Sequence, residues 1–202
     1  EARQVDNRAG EISSTSKVAV NAREQLDNRG GKVIGDSGLR LTVQRLLNQA
    51  KGVLAGRDGL SLDGSELFNG DGGRLDSQNG LSVSLGGVLD NQGGALVSEG
   101  SLTARAARLD NRGGTFSSAG ALALTSQAAL DNQGGRLLSD GRLDLAANAV
   151  GNAGGRIAAK GDLQATLGSL AQQGGELVSE KTLKVAADTL DNSQSGLIAA
   201  NG

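Results

Sequence analysis

Leucines two apart with a polar or small residue between them, as in Leu39/Leu41, Leu60/Leu62, Leu122/Leu124 and Leu143/Leu145, return about once every twenty residues. A spacing of two is that of a β-strand with one face buried, because successive side chains point to opposite faces. Cutting the chain after Gly10, Gly31, Gly52, Gly73, Gly94, Gly114, Gly135, Gly155, Gly175 and Gly196 gives intervals of 20 or 21 residues throughout. The apolar positions then fall into columns. Two residues after the glycine stand Ile12, Val33, Leu54, Leu75, Leu96, Phe116, Leu137, Ile157, Leu177 and Ile198. Six residues farther on lies a second column (Val18, Leu39, Leu60 and so on to Leu183), and two beyond it a third (Val20, Leu41, Leu62 to Val185). A fourth, from Val5 and Leu26 to Leu190, precedes the next turn. Between the first and second columns a small residue such as Ser14, Gly35, Ser77, Ser118 or Ala159 marks a tight corner.

A self-similar period of this length is the mark of a solenoid. Leucine-rich repeats share the period but need a convex segment with helical spacing, which this chain lacks. The alternating segments and frequent glycines predict an all-β fold, a parallel β-helix of about ten coils of 20–21 residues, with residues 1–202 forming one repeat domain. Right-handed winding is expected, since parallel crossovers are overwhelmingly of that hand. One coil alone buries too few aliphatic side chains to offset the entropy of ordering it, so stability must grow with stacking. Strands spaced about 4.8 Å apart make ten coils a rod of about 45–50 Å.

The glycine closing each unit belongs to a motif spelled LDNQGG at 89–94, LDNRGG at 109–114 and LDNQGG at 130–135. Its asparagine recurs as Asn7, Asn28, Asn48, Asn69, Asn91, Asn111, Asn132, Asn152 and Asn192, with Gln172 standing in once. Inward asparagines stacked coil on coil are expected to bridge amide to amide along the axis and to satisfy turn backbone groups. The paired glycines are expected to turn the chain through positive φ. Asp6, Asp27, Asp90, Asp110, Asp131 and Asp191, each just before the asparagine, are placed to accept turn N–H groups.

Composition narrows the core. The chain has 33 glycines, two aromatics (Phe68 and Phe116) and no Pro, Cys, His, Met, Trp or Tyr, so Leu, Val, Ile and Ala must fill the interior. Basic and acidic residues, 20 against 22, nearly cancel, which argues against nucleic acid as a partner. No apolar run reaches the length of a membrane helix. A chain that begins at Glu1 with a turn motif already at Val5-Asp6-Asn7 reads as a piece of a longer rod.

The stretch LDNQGGRLLSDGRLDLAANAVGNAGGRIAAKGDLQATL at 130–167 resembles the haemagglutinin repeats of filamentous haemagglutinin and of contact-dependent growth inhibition exoproteins, and the resemblance covers essentially the whole chain. It implies a shaft segment of a long, secreted, cell-surface β-helical rod of a Gram-negative bacterium, exported by two-partner secretion through an outer-membrane transporter. Such proteins act as adhesins or as sticks that deliver a toxin to a neighbouring cell. The partners implied are adjoining β-helical segments of the same chain and a receptor or glycan on a host or target cell.

The competing reading is a β-helical polysaccharide lyase or glycosidase with acids on a lateral groove. Asp58, Asp63, Glu66, Asp71 and Asp76 crowd the third and fourth coils, where the turns also gain a residue. Without His, Tyr or an aromatic platform for a sugar ring, these acids read as solvated surface groups, and no catalytic residue is assigned. Calcium-binding β-rolls repeat G-G-x-G-x-D every nine residues, a period that does not match, and the glycine turns lack the Lys-Ser/Thr ending of a phosphate loop. No metal or cofactor is expected. At the outward corner, Asp36 and Arg57, and then Asp140, Lys160 and Glu180, stack opposite charges on successive coils and are expected to fix register.

Overall fold

A computed structural model of the chain describes residues 1–202, with 23 parallel strands and no helix. The strands form two sheets. The first holds ten four-residue strands, from Glu11–Ser14 to Leu197–Ala200, each paired with its equivalent one coil away. Its register follows the first apolar column: Ile12 opposes Val33, Val33 opposes Leu54, and the series continues to Leu177 opposite Ile198. Ten such strands make nine complete turns of solenoid.

The second sheet carries the longer strands, such as Leu39–Leu47 and Leu163–Ala171, which hold the other columns. Leu39, Leu41 and Val43 oppose Leu60, Leu62 and Gly64, so alternation drives every second side chain inward. Val43 belongs to a fifth inward column that the leucine pattern does not announce: Ala22, Val43, Leu85, Ala106, Ser126, Ala147 and Leu167 are all buried. Alanine and serine at these places are too small and too mixed to stand out in the sequence. At this column the long strand breaks in three central coils, between Leu85 and Val88, Ala106 and Arg108, and Ser126 and Ala129. The Ser126 hydroxyl closes its bend by donating toward the Ala129 and Ala107 carbonyls at 2.8 and 3.2 Å.

The sheets enclose one continuous cluster of 38 buried apolar residues, in which Phe116 takes a leucine's place in the first column. The small corner residues have a visible cause. A Cβ on Gly56 would strike the Gly59 carbonyl, whereas Ser118 and Ser139 turn their hydroxyls onto carbonyls of their own and the preceding coil at 2.8–3.0 Å. The coils also absorb length changes locally. Strand Val18–Asp27 has a bulge between Ala22 and Gln25 that its neighbour Leu39–Leu47 lacks. The following turn, Asn48 to Gly52, is one residue longer than Asn28 to Gly31, which holds the glycine spacing at 21.

Candidate functional site

The asparagines meet at the corner between the long strand of one coil and the short strand of the next. Each amide nitrogen donates along the rod axis to the amide oxygen of the following asparagine. These bonds link Asn7, Asn28, Asn48, Asn69, Asn91, Asn111, Asn132 and Asn152 in succession, each at 2.7 Å. The same nitrogen also reaches carbonyls, as in Asn111 to Gly114 and to Arg136 of the next coil, both at 3.2 Å. From Asn28 to Asn152, and again at Gln172, the side chains are fully buried, so this pairing spares the solenoid eight stranded amides that burial alone would penalise.

Gln172 changes the pattern. It accepts from Asn152 at 3.1 Å and donates to the Leu197 carbonyl at 2.8 Å, the counterpart of the Asn111 bond to Arg136, but its longer side chain makes no bond to Asn192. The Asn192 amide oxygen is therefore enclosed without a partner, and Asn192 stands in the column but outside the hydrogen-bonded chain.

The paired glycines answer two different needs. The first of each pair, Gly30, Gly93, Gly113, Gly134, Gly154 or Gly174, has φ between +60° and +66°, the left-handed region. The second does not. A Cβ on Gly114 would overlap the Asn91 carbonyl of the preceding coil and lie 2.6 Å from the Asn111 amide oxygen, so the ladder itself excludes a side chain. Where the turn has five residues, two successive positions take positive φ: Ala50 and Lys51, Asp71 and Gly72, Gln194 and Ser195. Ala9 holds φ +52° where most equivalent turns have glycine.

All six aspartates before the ladder accept the backbone N–H two residues on, at 3.0–3.2 Å. In three turns an arginine at that position adds its guanidinium: Arg8 to Asp6, Arg29 to Asp27 and Arg112 to Asp110. The hydrogen bonds from Arg8 lower the Asp6 carboxyl to about 2. Arg29 holds Asp27 below the usual carboxylate range. Burial pushes Asp110 upward, but the side-chain and backbone hydrogen bonds of Arg112 outweigh it and the net shift is down. Hydrogen bonds from Ser193 and Gln173 lower Asp191.

The acids of the third and fourth coils are not gathered. Asp63 and Glu66 point outward from strand Leu60–Phe68 toward Arg40 at 3.8 Å and Arg45 at 3.0 Å. Asp76 lies on the other sheet beside Arg74, while Asp58 and Asp71 occupy opposite corners, Asp71 at φ +51°. No three acidic side chains converge. A lateral depression of about 610 Å³ lies among Lys17, Arg40, Asp58, Ser61, Ser82 and Thr103, and Asp58 is its single acid. Glycoside hydrolysis through paired carboxylates needs two acids flanking one bond, a geometry this depression does not offer. Phe68 lies half-buried on the outer surface with the Arg45 guanidinium 5.3 Å from its ring centre.

Of the outward corner charges, Lys160 bridges to Asp140 at 2.9 Å, whereas Asp36 and Arg57 form no ion pair and Glu180 contributes to Lys160 only through its field. The sequence reading missed an outward column on the short-strand sheet. Ile34, Ala55, Val97, Leu138, Ala158, Val178 and Ala199, each three residues past the closing glycine, are apolar and half-buried although they face away from the core. Period-two alternation assigns them to the solvent face, and their apolar character was the signal available.

Two stacked parallel sheets, a corner ladder and a coil of about 21 residues define a β-solenoid of the parallel β-helix type. The chain belongs to the Haemagglutinin repeat family, which matches it over residues 1–30, 20–93, 72–134 and 138–202. No curated protein and no solved structure gives a significant match.

Proposed function

We propose that this chain is a non-catalytic shaft segment of a secreted, cell-surface β-helical exoprotein, an adhesin or a contact-dependent toxin-delivery stick. The observation that carries the reading is the ladder, which keeps one satisfied corner through eight successive coils, Asn7 to Asn152, while the outward residues vary from coil to coil. A spacer needs a repeated frame, whereas a single active site needs one departure from it. Membership of the Haemagglutinin repeat family supports a place in a filamentous, adhesin-like protein. In this reading the full-length protein leaves the cell through an outer-membrane two-partner secretion transporter, and its partners are neighbouring β-helical segments and a receptor or glycan on the contacted cell.

The test pairs two measurements on the purified chain. Incubation with a panel of bacterial and host glycans should release no product detectable by mass. Turnover abolished by Asp63→Asn or Asp76→Asn would overturn the reading in favour of a carbohydrate-active enzyme. Binding to cultured epithelial and bacterial cells separates the two shaft roles, since measurable adherence assigns adhesion to this segment and inertness assigns it spacing alone.

A further inference from the structure

The outward apolar column reaches its longest uninterrupted run at Leu138, Ala158, Val178 and Ala199, where it floors a depression of about 640 Å³. Charged residues rim that depression on both sides. Arg156 and Glu176 stand two residues before Ala158 and Val178 on successive coils, and Lys160 and Glu180 stand two residues after them. On these two coils each rim reads plus then minus along the rod axis, in the same order on both sides; Asp140, one coil earlier, also lines the depression and bridges to Lys160 at 2.9 Å, and Arg156 bridges to Glu176 within the rod.

That arrangement selects one partner geometry. If a second rod packs face to face about a two-fold axis parallel to the strands and midway between the coils of Ala158 and Val178, the rods run antiparallel and each rim meets itself reversed. Arg156 then faces Glu176 of the second rod, Lys160 faces Glu180, and both contacts occur twice. On the floor Ala158 meets Val178 and Leu138 meets Ala199, a small residue against a larger one each time. A two-fold axis along the rod instead opposes Arg156 to Lys160 and Glu176 to Glu180, like charges on both coils. We infer that this face is a lateral docking surface for a second copy of the same chain, antiparallel, in the register that pairs Arg156 with Glu176 and Lys160 with Glu180. Only a solenoid of equal pitch can repeat such matches coil by coil, which favours a second copy over an unrelated protein.

The contact is weak by its size. Four coils about 19 Å high and five residues about 15 Å wide offer roughly 300 Å² per rod, well under the ~800 Å² per partner of standard stable interfaces. Association is therefore expected at high protein concentration and is expected to fall with added salt.

Sedimentation of the whole chain up to millimolar concentration should show a monomer–dimer equilibrium. Lys160→Glu, which places two acids face to face twice, should weaken it about tenfold or more. The exchange Lys160→Glu with Glu180→Lys should restore it to within about threefold, with circular dichroism confirming that both variants fold. Because the chain has no cysteine, Asp36→Cys can carry a single spin label. Thirteen coils of axial offset predict about 60 Å between labels in the antiparallel dimer, against less than about 30 Å for parallel rods. A chain monomeric at millimolar concentration, a dimer indifferent to Lys160→Glu, a charge exchange that fails to restore a folded pair, or a short label distance would each overturn the proposal.

Discussion

At the scale of single residues, the turn tolerates little, and where it departs from its own rule it should be improvable. Ala9 and Lys51 hold left-handed φ of +52° and +63°, a conformation that disfavours a Cβ by about 1–2 kcal/mol. Ala9→Gly and Lys51→Gly should therefore raise the denaturation midpoint, each by up to about 1 kcal/mol, less whatever glycine's freedom in the unfolded chain removes. Gly114→Ala should do the reverse although its φ is ordinary, because the added methyl meets the Asn91 carbonyl. Gln172→Asn shortens the one side chain that oversteps the ladder, and should give the enclosed Asn192 oxygen its missing donor. An increase of about 1 kcal/mol in urea-unfolding free energy is expected, the usual net worth of one such bond. The aspartates set an acid limit. Their folded pKa values lie below the unfolded ones, so their contribution is present above about pH 4 and is lost as pH falls toward the folded values, about 2 for Asp6. The melting temperature should therefore drop between pH 4 and pH 2, and Asp27→Asn with Asp110→Asn should flatten that drop.

At the scale of strands and turns, each coil contributes its columns to a core that no coil could seal alone. Leu143 begins its long strand with no exposed surface, between Leu122 and Leu163 on the neighbouring coils. Leu143→Asp should cost more than about 3 kcal/mol, as an unpaired carboxylate buried in an aliphatic column, and thermal melting would show it as a collapse of the transition. This scale also separates what the sequence made legible from what it did not. The leucine columns could be read because alternation and period agreed ten times over, and register followed once the glycines were aligned. The fifth inward column was hidden by its small residues, Ala22, Ala106, Ser126 and Ala147, whose composition fits a surface as well as a core. The separate duties of the two glycines were hidden as well. Positive φ is a property of one residue, but the exclusion at Gly114 comes from a carbonyl twenty-three residues earlier in the chain, at Asn91. The fate of Asn192 depended on one methylene in Gln172, a difference of reach that a column of amides does not display. The apolar outer column at Leu138, Ala158 and Val178 was legible as letters and alternation turns it outward, but only the stacked short strands show the depression that it floors.

At the scale of the whole molecule, the same logic makes length adjustable in whole coils and in no smaller step. Every coil contacts chiefly its two neighbours through the same ladder and columns, so removing complete coils should leave the remaining interfaces intact. Deleting residues 95–135 takes out 41 residues, two units of 20 and 21, and joins Gly94 directly to Arg136. Leu96 and Phe116 disappear together, and Leu75 comes to rest on Leu137; Asn91 passes its bond to Asn152 in place of Asn111, since Asn111 and Asn132 leave with the deletion. The shortened chain should keep a strand-type circular dichroism spectrum at unchanged intensity per residue. Its urea m-value should fall roughly in proportion to the surface lost, by about a fifth, since 41 of 202 residues are gone. Deleting residues 95–104 removes fewer residues but half a coil: it takes out strand Ala95–Ser98 and most of Ser101–Ala106 and joins Gly94 to Arg105, so that Ala106 falls at the place of the buried Leu96 and the charged Arg108 at the buried corner of Ser98. That variant should lose its cooperative transition. If the half-coil deletion melts higher than the two-coil deletion, the stability of this chain does not reside in the stacking of equivalent coils.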